Sequence, residues 1–253
     1  MMGCNHATMS AAAGILALPV IDLPTPTQKV AWVLVCAGMG LLPDWDQDGS
    51  HVSRMWGWPS RGAARVIGAL AGGHRWGTHD IVLAPLVFAA VFAMAARHPV
   101  LQLLALAVSF GLAMRGVTAM RFGRVGAAAN VVVSWGAAWA MVQQQQTDLV
   151  AWMPLAIVLG VASHIVGDLL TNEGVPLPIV WIWTRNRVAL SLFKTNGIVE
   201  RAVVAPALTL FTVWAIMQTT GYTSLDQVGR DAYLVITGLI PQLINVEGAT
   251  PWA

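Results

Sequence analysis

The chain has 253 residues, of which 57% are hydrophobic and 10% charged, and its formal net charge is +2. A soluble domain carries about 25% charged residues, so this composition excludes an ordinary soluble fold and indicates an integral membrane protein, with a mean hydropathy of +0.65. The basic residues form no run, which gives no support to nucleic-acid binding.

Apolar segments run at about 9–20, 29–43, 81–96, 99–114, 125–142, 150–170 and 202–219, with a weaker amphipathic one at about 228–245. Several are shorter than the roughly 20 residues of a full span, so short or re-entrant segments are expected. The opening stretch lacks a basic n-region, so a cleaved signal peptide is not expected. "DLPTPTQK" separates the first two segments, "RHP" the third and fourth, and "QQQQTD" the fifth and sixth. Cys4 and Cys36 have neither a metal-knuckle nor a CxxC spacing. The pattern predicts a single all-α membrane domain over 1–253, a polytopic helical bundle. Two longer polar regions, 44–80 and 171–201, interrupt it.

Alternation of the segments puts Arg54, Arg61, Arg65, Arg75, Arg115, Arg121, Arg124, Arg185, Arg187, Lys194 and Arg201 on one side. Lys29, Arg97 and Arg230 fall on the other. The first side is therefore expected to face the cytoplasm. The same alternation brings His6, both polar regions and the end of the sixth segment to that face.

That face collects the scarce polar groups: His6; Asp44, Asp46, Asp48 and His51; His74, Arg75, His79 and Asp80; His164 and Asp168; Glu173 and Glu200. His164 and Asp168 are four apart and share one helix face. An ionisable residue at membrane depth needs a partner or a watery cavity, and a divalent metal would serve both; a plain His–Asp hydrogen bond is the competing account. In "PDWD", Pro43 ends a helix, and Asp44 and Asp46 project to one side of the chain. They repel unless a cation lies between them, although a solvated acidic turn or a helix cap also explains them. In "HRWGTHD", His74 and His79 flank a glycine that permits a bend. Arg75 suits a phosphate or a carboxylate such as Asp44, and Thr78 or Asp80 suits a helix cap.

"LLPDWD", "HRWGTHD", "SHIVGDLLTNEGVPL" and "FKTNGIVE" occur in that order. Together with the early His6 they resemble the bacterial family described as LexA-binding, inner-membrane-associated, metal-dependent hydrolases. The resemblance runs from His6 to about Glu200. It implies metal ligands at His6, Asp44, Asp46, His74, His79, His164 and Asp168. Thr171 and Gly174 match the turn that follows, and Glu200 matches a late acid. Trp76 stands where that pattern has glycine, Asp80 where it has serine, and Asn196 alters the late motif. Asp80 is thus an extra candidate ligand.

The expected function is a membrane-embedded hydrolase that uses one or two divalent ions, zinc by preference, to activate water against a phosphoester or lipid-linked substrate. Arg75, Asp80 and Glu200 are the candidate catalytic groups. The expected surroundings are the lipid bilayer of the inner membrane and a cytoplasmic protein partner, without nucleic acid. Two other classes compete: a scaffold or regulator with a structural metal, and a metal or proton transporter.

Overall fold

A computed structural model describes residues 1–95, 97–116, 123–143, 149–220, 226, 227 and 230. The amphipathic segment at 228–245 apart from Arg230, the loop at 144–148 and Arg121 lie outside the described residues. Among the described residues the fold is helical: α1 (Gly3–Ala17), α2 (Pro26–Met39), α3 (Trp58–Leu70), α4 (Leu83–Ala95), α5 (Pro99–Gly116), α6 (Gly123–Gln143), α7 (Leu149–Leu169), α8 (Trp181–Thr184) and α9 (Ala205–Thr220). A π-helical turn, Glu200–Val204, leads into α9. Two short antiparallel strands, β1 (Val175–Pro176) and β2 (Arg187–Val188), flank α8 and pair Val175 with Val188 and Pro176 with Arg187.

Among the described residues, four helices are long and apolar enough to cross a membrane: Pro99–Gly116, Val125–Gln143, Ala151–Leu169 and Glu200–Thr219. α4 is apolar but shorter. α1 and α2, at 15 and 14 residues, rise about 21–23 Å, less than the roughly 30 Å hydrocarbon core. They form a hairpin that leaves the site and returns to it. α2 starts in a capping box, with Thr25 and Gln28 bonding each other's backbone and Pro26 in the first turn.

The core sits where α2 packs against α1, α5 and α7, and α1 packs against α7 and α9. These helices approach closely because small residues face their neighbours. A Cβ on Gly38 would strike the Ser109 carbonyl, and one on Gly160 would lie 2.6 Å from the Cys36 carbonyl. The Trp32 indole donates to the Gly14 carbonyl at 2.7 Å, which satisfies the one polar atom of a buried aromatic ring.

The polar region 44–80 holds a helix that its mean hydropathy conceals. α3 buries Ser60 and Ala64, while Trp58, Val66 and Leu70 stay exposed. Arg61 and Arg65 reach the two oxygens of Asp48 at 3.0 and 2.9 Å. Asp48 is therefore a surface ion-pair partner of α3.

Candidate metal centre

Six chain segments meet at one end of the bundle: the start of α1, the turn after α2, the loop before α4, the end of α5, the end of α7 and the turn into α9. Contacts fix this. His6 of α1 faces Asp168 of α7 at 3.2 Å, and Arg115 at the end of α5 donates to the Arg54 carbonyl at 2.8 Å. Glu200 accepts from the Met2 backbone, from the Asn5 amide and from the Asn196 backbone at 2.5, 2.9 and 2.6 Å.

Among the described residues, two groups of donors could hold a metal ion: His6, His164 and Asp168, and Asp44, His74 and His79. The two groups touch, since His79 Nε2 lies 3.2 Å from His164 Nε2. Hydrogen bonding fixes which nitrogens carry protons. His164 Nδ1 lies 2.7 Å from the Gly40 carbonyl, which only accepts, so Nδ1 holds a proton and, whenever the ring is neutral, Nε2 presents a lone pair. Thr78 Oγ1 donates its single proton to Asp46 Oδ2 at 2.5 Å. It must therefore accept from His79 Nδ1 at 3.0 Å, and His79 Nε2 is also bare. His74 Nδ1 lies 2.6 Å from Asp46 Oδ1 and follows the same pattern.

Two bare imidazole nitrogens 3.2 Å apart repel unless a cation lies between them. Two carboxylates complete the arrangement. Asp44 Oδ1 lies 3.7 Å from His79 Nε2 and 3.8 Å from His164 Nε2. Asp168 Oδ2 lies 3.6 Å from each. A tetrahedral zinc site with ligands at about 2.0–2.2 Å has ligand–ligand edges of about 3.3–3.6 Å. The five separations bracket that value, so the donor set fits a divalent ion. A single shared proton would bridge the two rings but leave Asp44 without a cation, whereas Asp168 also pairs with the Met1 ammonium and with Arg75.

Hydrogen bonding in the cluster is incomplete. Asp168 Oδ2 and both ring nitrogens of His6 are buried without a hydrogen bond, where native proteins rarely leave such groups; Asp168 Oδ2 has the ion pair with Arg75 at 3.2 Å, and His6 Nε2 the approach of Asp168 Oδ1 at 3.2 Å. His6 is wholly buried and stacks on the His164 ring at 3.6 Å. A Cβ on residue 167 would lie 3.2 Å from the His6 ring, so Gly167 makes room for it. Burial pushes His79 below the ordinary imidazole value, against the upward pull of Asp44 and Asp168. The ring is thus neutral and fit to ligate.

The structure sorts the sequence-derived residues. His6, Asp44, His74, His79, His164 and Asp168 converge. Asp46 does not join them: the turn is a 3-10 helix, Pro43–Asp46, in which alternate residues diverge, and both Asp46 oxygens hold the 74–78 loop. Besides His74 and Thr78, Asp46 accepts from the Arg75 backbone at 3.3 Å. Asp80 is a helix cap and anchor, not a further ligand. Its Oδ1 accepts from the Val82 and Leu83 backbones at 2.8 and 2.9 Å, and its Oδ2 from the Ile179 backbone and the Trp181 indole at 2.6 and 2.9 Å. Glu200 ties the start of α1 to the late motif through the bonds given above. The Arg75 guanidinium is buried and reaches Asp168 at 3.2 Å and Glu173 at 3.4 Å instead of Asp44. It is thereby engaged within the protein, and its backbone takes a left-handed φ of 64°, a strained state for a non-glycine residue.

Sequence reasoning passed over Thr78 as an orienting group and Arg187 as a neighbour of Arg75. The signal for Thr78 was its place directly before His79. Arg187 had no local signal, because a strand pairing brings it to the site.

The family model described as YdjM inner membrane protein matches residues 1–226. No curated protein and no solved structure matches the chain.

Proposed function

From the premise that the chain belongs to the YdjM inner membrane protein family, we propose that it is a membrane-embedded, metal-dependent hydrolase of phosphoesters, lipid-linked ones above all. The observation that carries this reading is the pair of bare Nε2 atoms of His79 and His164, 3.2 Å apart, with a carboxylate on either side. His79, His164, Asp44 and Asp168 would hold the first ion, and His6 and His74 supply donors for a second. A divalent cation bound there, zinc by preference, acts as a Lewis acid toward water and a phosphoryl oxygen. The chain's own residues do the rest. Gly40 and Thr78 fix the imidazole tautomers, Asp46 holds the ligand loop, and Arg75 balances Asp168. His74 and Asp44, with side chains 31% and 21% exposed, form the side of the site open to a substrate.

The excess of Lys and Arg in the loops of this side supports a cytoplasmic placement of the site. A lipid-linked phosphate already sits at such a boundary, which favours it as substrate. The test is a panel of phospholipids and lipid-linked phosphates offered to metal-loaded protein. Turnover that chelator and His164→Ala both abolish is expected. No turnover across the panel, with metal verified as bound, would remove the reading.

One observation favours a second reading, a scaffold for a cytoplasmic protein with a structural metal. His6, His79, His164 and Asp168 are wholly buried, as ligands of closed structural sites are. Metal-dependent stability without any esterase or phosphatase activity would support it. A transporter is disfavoured, because residues 99–114, 125–143, 151–163 and 202–219 contain no Asp, Glu, His, Lys or Arg to form a path.

A further inference from the structure

Beside the ligand cluster lies a group of side chains that metal binding does not use. The Arg187 guanidinium sits 4.5 Å over the Trp76 ring. That of Arg185 sits 4.8 Å over the same ring and 5.9 Å over Trp181. Trp181 is held in place by the bond from its indole to Asp80 at 2.9 Å, and its ring centroid lies 6.0 Å from that of Trp76. Arg185 donates to the Gly72 carbonyl at 3.1 Å. Pairing of β1 with β2 sets Arg187 opposite Pro176. Gly174, just before β1, accepts from Arg75 at 3.3 Å.

Three guanidiniums thus gather around one wall of the site. Arg75 is balanced by Asp168 and Glu173. Arg185 and Arg187 are exposed and, among the described residues, neither guanidinium pairs with a carboxylate. Partial burial and then the Arg75 charge pull Arg187 below its ordinary value, while Glu173 and Asp168 oppose them. Its charge therefore senses Asp168 of the ligand cluster and Glu173 beside it. An indole face holds a guanidinium flat without consuming its N–H groups. Apart from the Arg185 donor spent on Gly72, those groups stay available, and the Arg187 fork suits two phosphoryl oxygens. Trp76 stands where the resembled motif has glycine, and glycine could hold neither arginine.

We infer that Trp76, Arg185 and Arg187 form a phosphoryl-anion subsite beside the metal cluster, one that seats the phosphate of a lipid headgroup or of a soluble phosphoester. The inference rests on the phosphoester reading above and adds the groups that would seat the anion.

The experiment is calorimetric titration of the full chain in non-ionic detergent, stripped of metal by chelator, so that only the arginines are probed. One arm uses inorganic phosphate and the other dihexanoyl phosphatidic acid. Saturable binding in either arm is expected: in both for a general phosphoryl site, in the second alone for a headgroup site. Arg187→Gln weakens it about tenfold or more, the loss of one charge-assisted hydrogen bond. Arg187→Lys, which keeps the charge without the fork, falls between, and Trp76→Gly weakens it by a like factor. Metal content of the unstripped variants stays at the wild-type level. If Arg187→Gln disturbs the fold, Arg187→Lys and Trp76→Gly carry the test. Absence of binding in both arms for the wild type, or wild-type affinity in the variants, overturns the subsite. Because binding is read without turnover, failure of the hydrolase reading would leave this result standing, and activity with unchanged affinity in Arg187→Gln would sink the subsite alone.

Discussion

Thr78→Val is nearly isosteric and removes one hydroxyl at the place where the ligand set is oriented. In the native chain Thr78 Oγ1 donates to Asp46 Oδ2 at 2.5 Å and accepts from His79 Nδ1 at 3.0 Å. Without it the buried His79 Nδ1–H has no acceptor, which costs about 1–3 kcal/mol. Asp46 Oδ2 keeps only the Arg75 backbone donor at 3.3 Å. His79 is then free to move its proton to Nε2, the atom that faces His164. Loss of an orienting group of this kind weakens metal binding about 10–100-fold, or about 1.4–2.8 kcal/mol. The assay is zinc competition against a chromophoric chelator in detergent, with thermal unfolding as a control. Thr78→Ser retains the hydroxyl and should restore most of the affinity. A Thr78→Val protein that binds zinc as tightly as the wild type would show that the tautomer argument is wrong.

Two further outcomes follow from side chains that lie off the ligand set. Asp80→Ala removes the cap of α4 and the anchor of residues 179–181; it should lower stability by about 0.5–2 kcal/mol through the cap alone while metal content stays unchanged, as unfolding and elemental analysis would show. Asp48 is held below the usual carboxylate value by its hydrogen bonds from Arg61 and Arg65. Its contribution to anchoring α3 is therefore complete above the ordinary Asp value and is lost as pH falls through the depressed one. Hydrogen exchange of residues 58–70 should quicken on acidification, and Asp48→Asn should show the quickening already at neutral pH; equal protection in both proteins at neutral pH would contradict it.

Much of the fold was legible because lipid exposure demands long apolar runs, and those runs coincide with α4 to α7 and α9. α3 was hidden because Arg61, Arg65 and its glycines dilute its hydropathy; only its helical period, with Ser60 and Ala64 inward, marks it. The helical start of α1 was missed for a related reason. Asn5, His6 and Ser10 are buried among other helices, so its inner face need not be apolar. In the site, the spacing of His164 and Asp168 gave one shared face directly, and the two lie 3.6 Å apart across the ligand cluster. The division of labour between Asp44 and Asp46 was not legible, since it depends on the 3-10 turn that separates them. The engagement of Arg75 depends on Glu173 and Asp168, which are distant in sequence. The exposure of Arg187 depends on the pairing of β1 with β2.

The central claim is that a divalent ion binds among His79, His164, Asp44 and Asp168. Elemental analysis of purified protein, alongside His164→Ala prepared identically, tests it most directly. About one or two ions per chain in the wild type, and a loss of at least one in the variant, is the result this account predicts. Wild-type protein that neither retains a divalent metal nor takes up added zinc, or a variant with unchanged metal content, would contradict it.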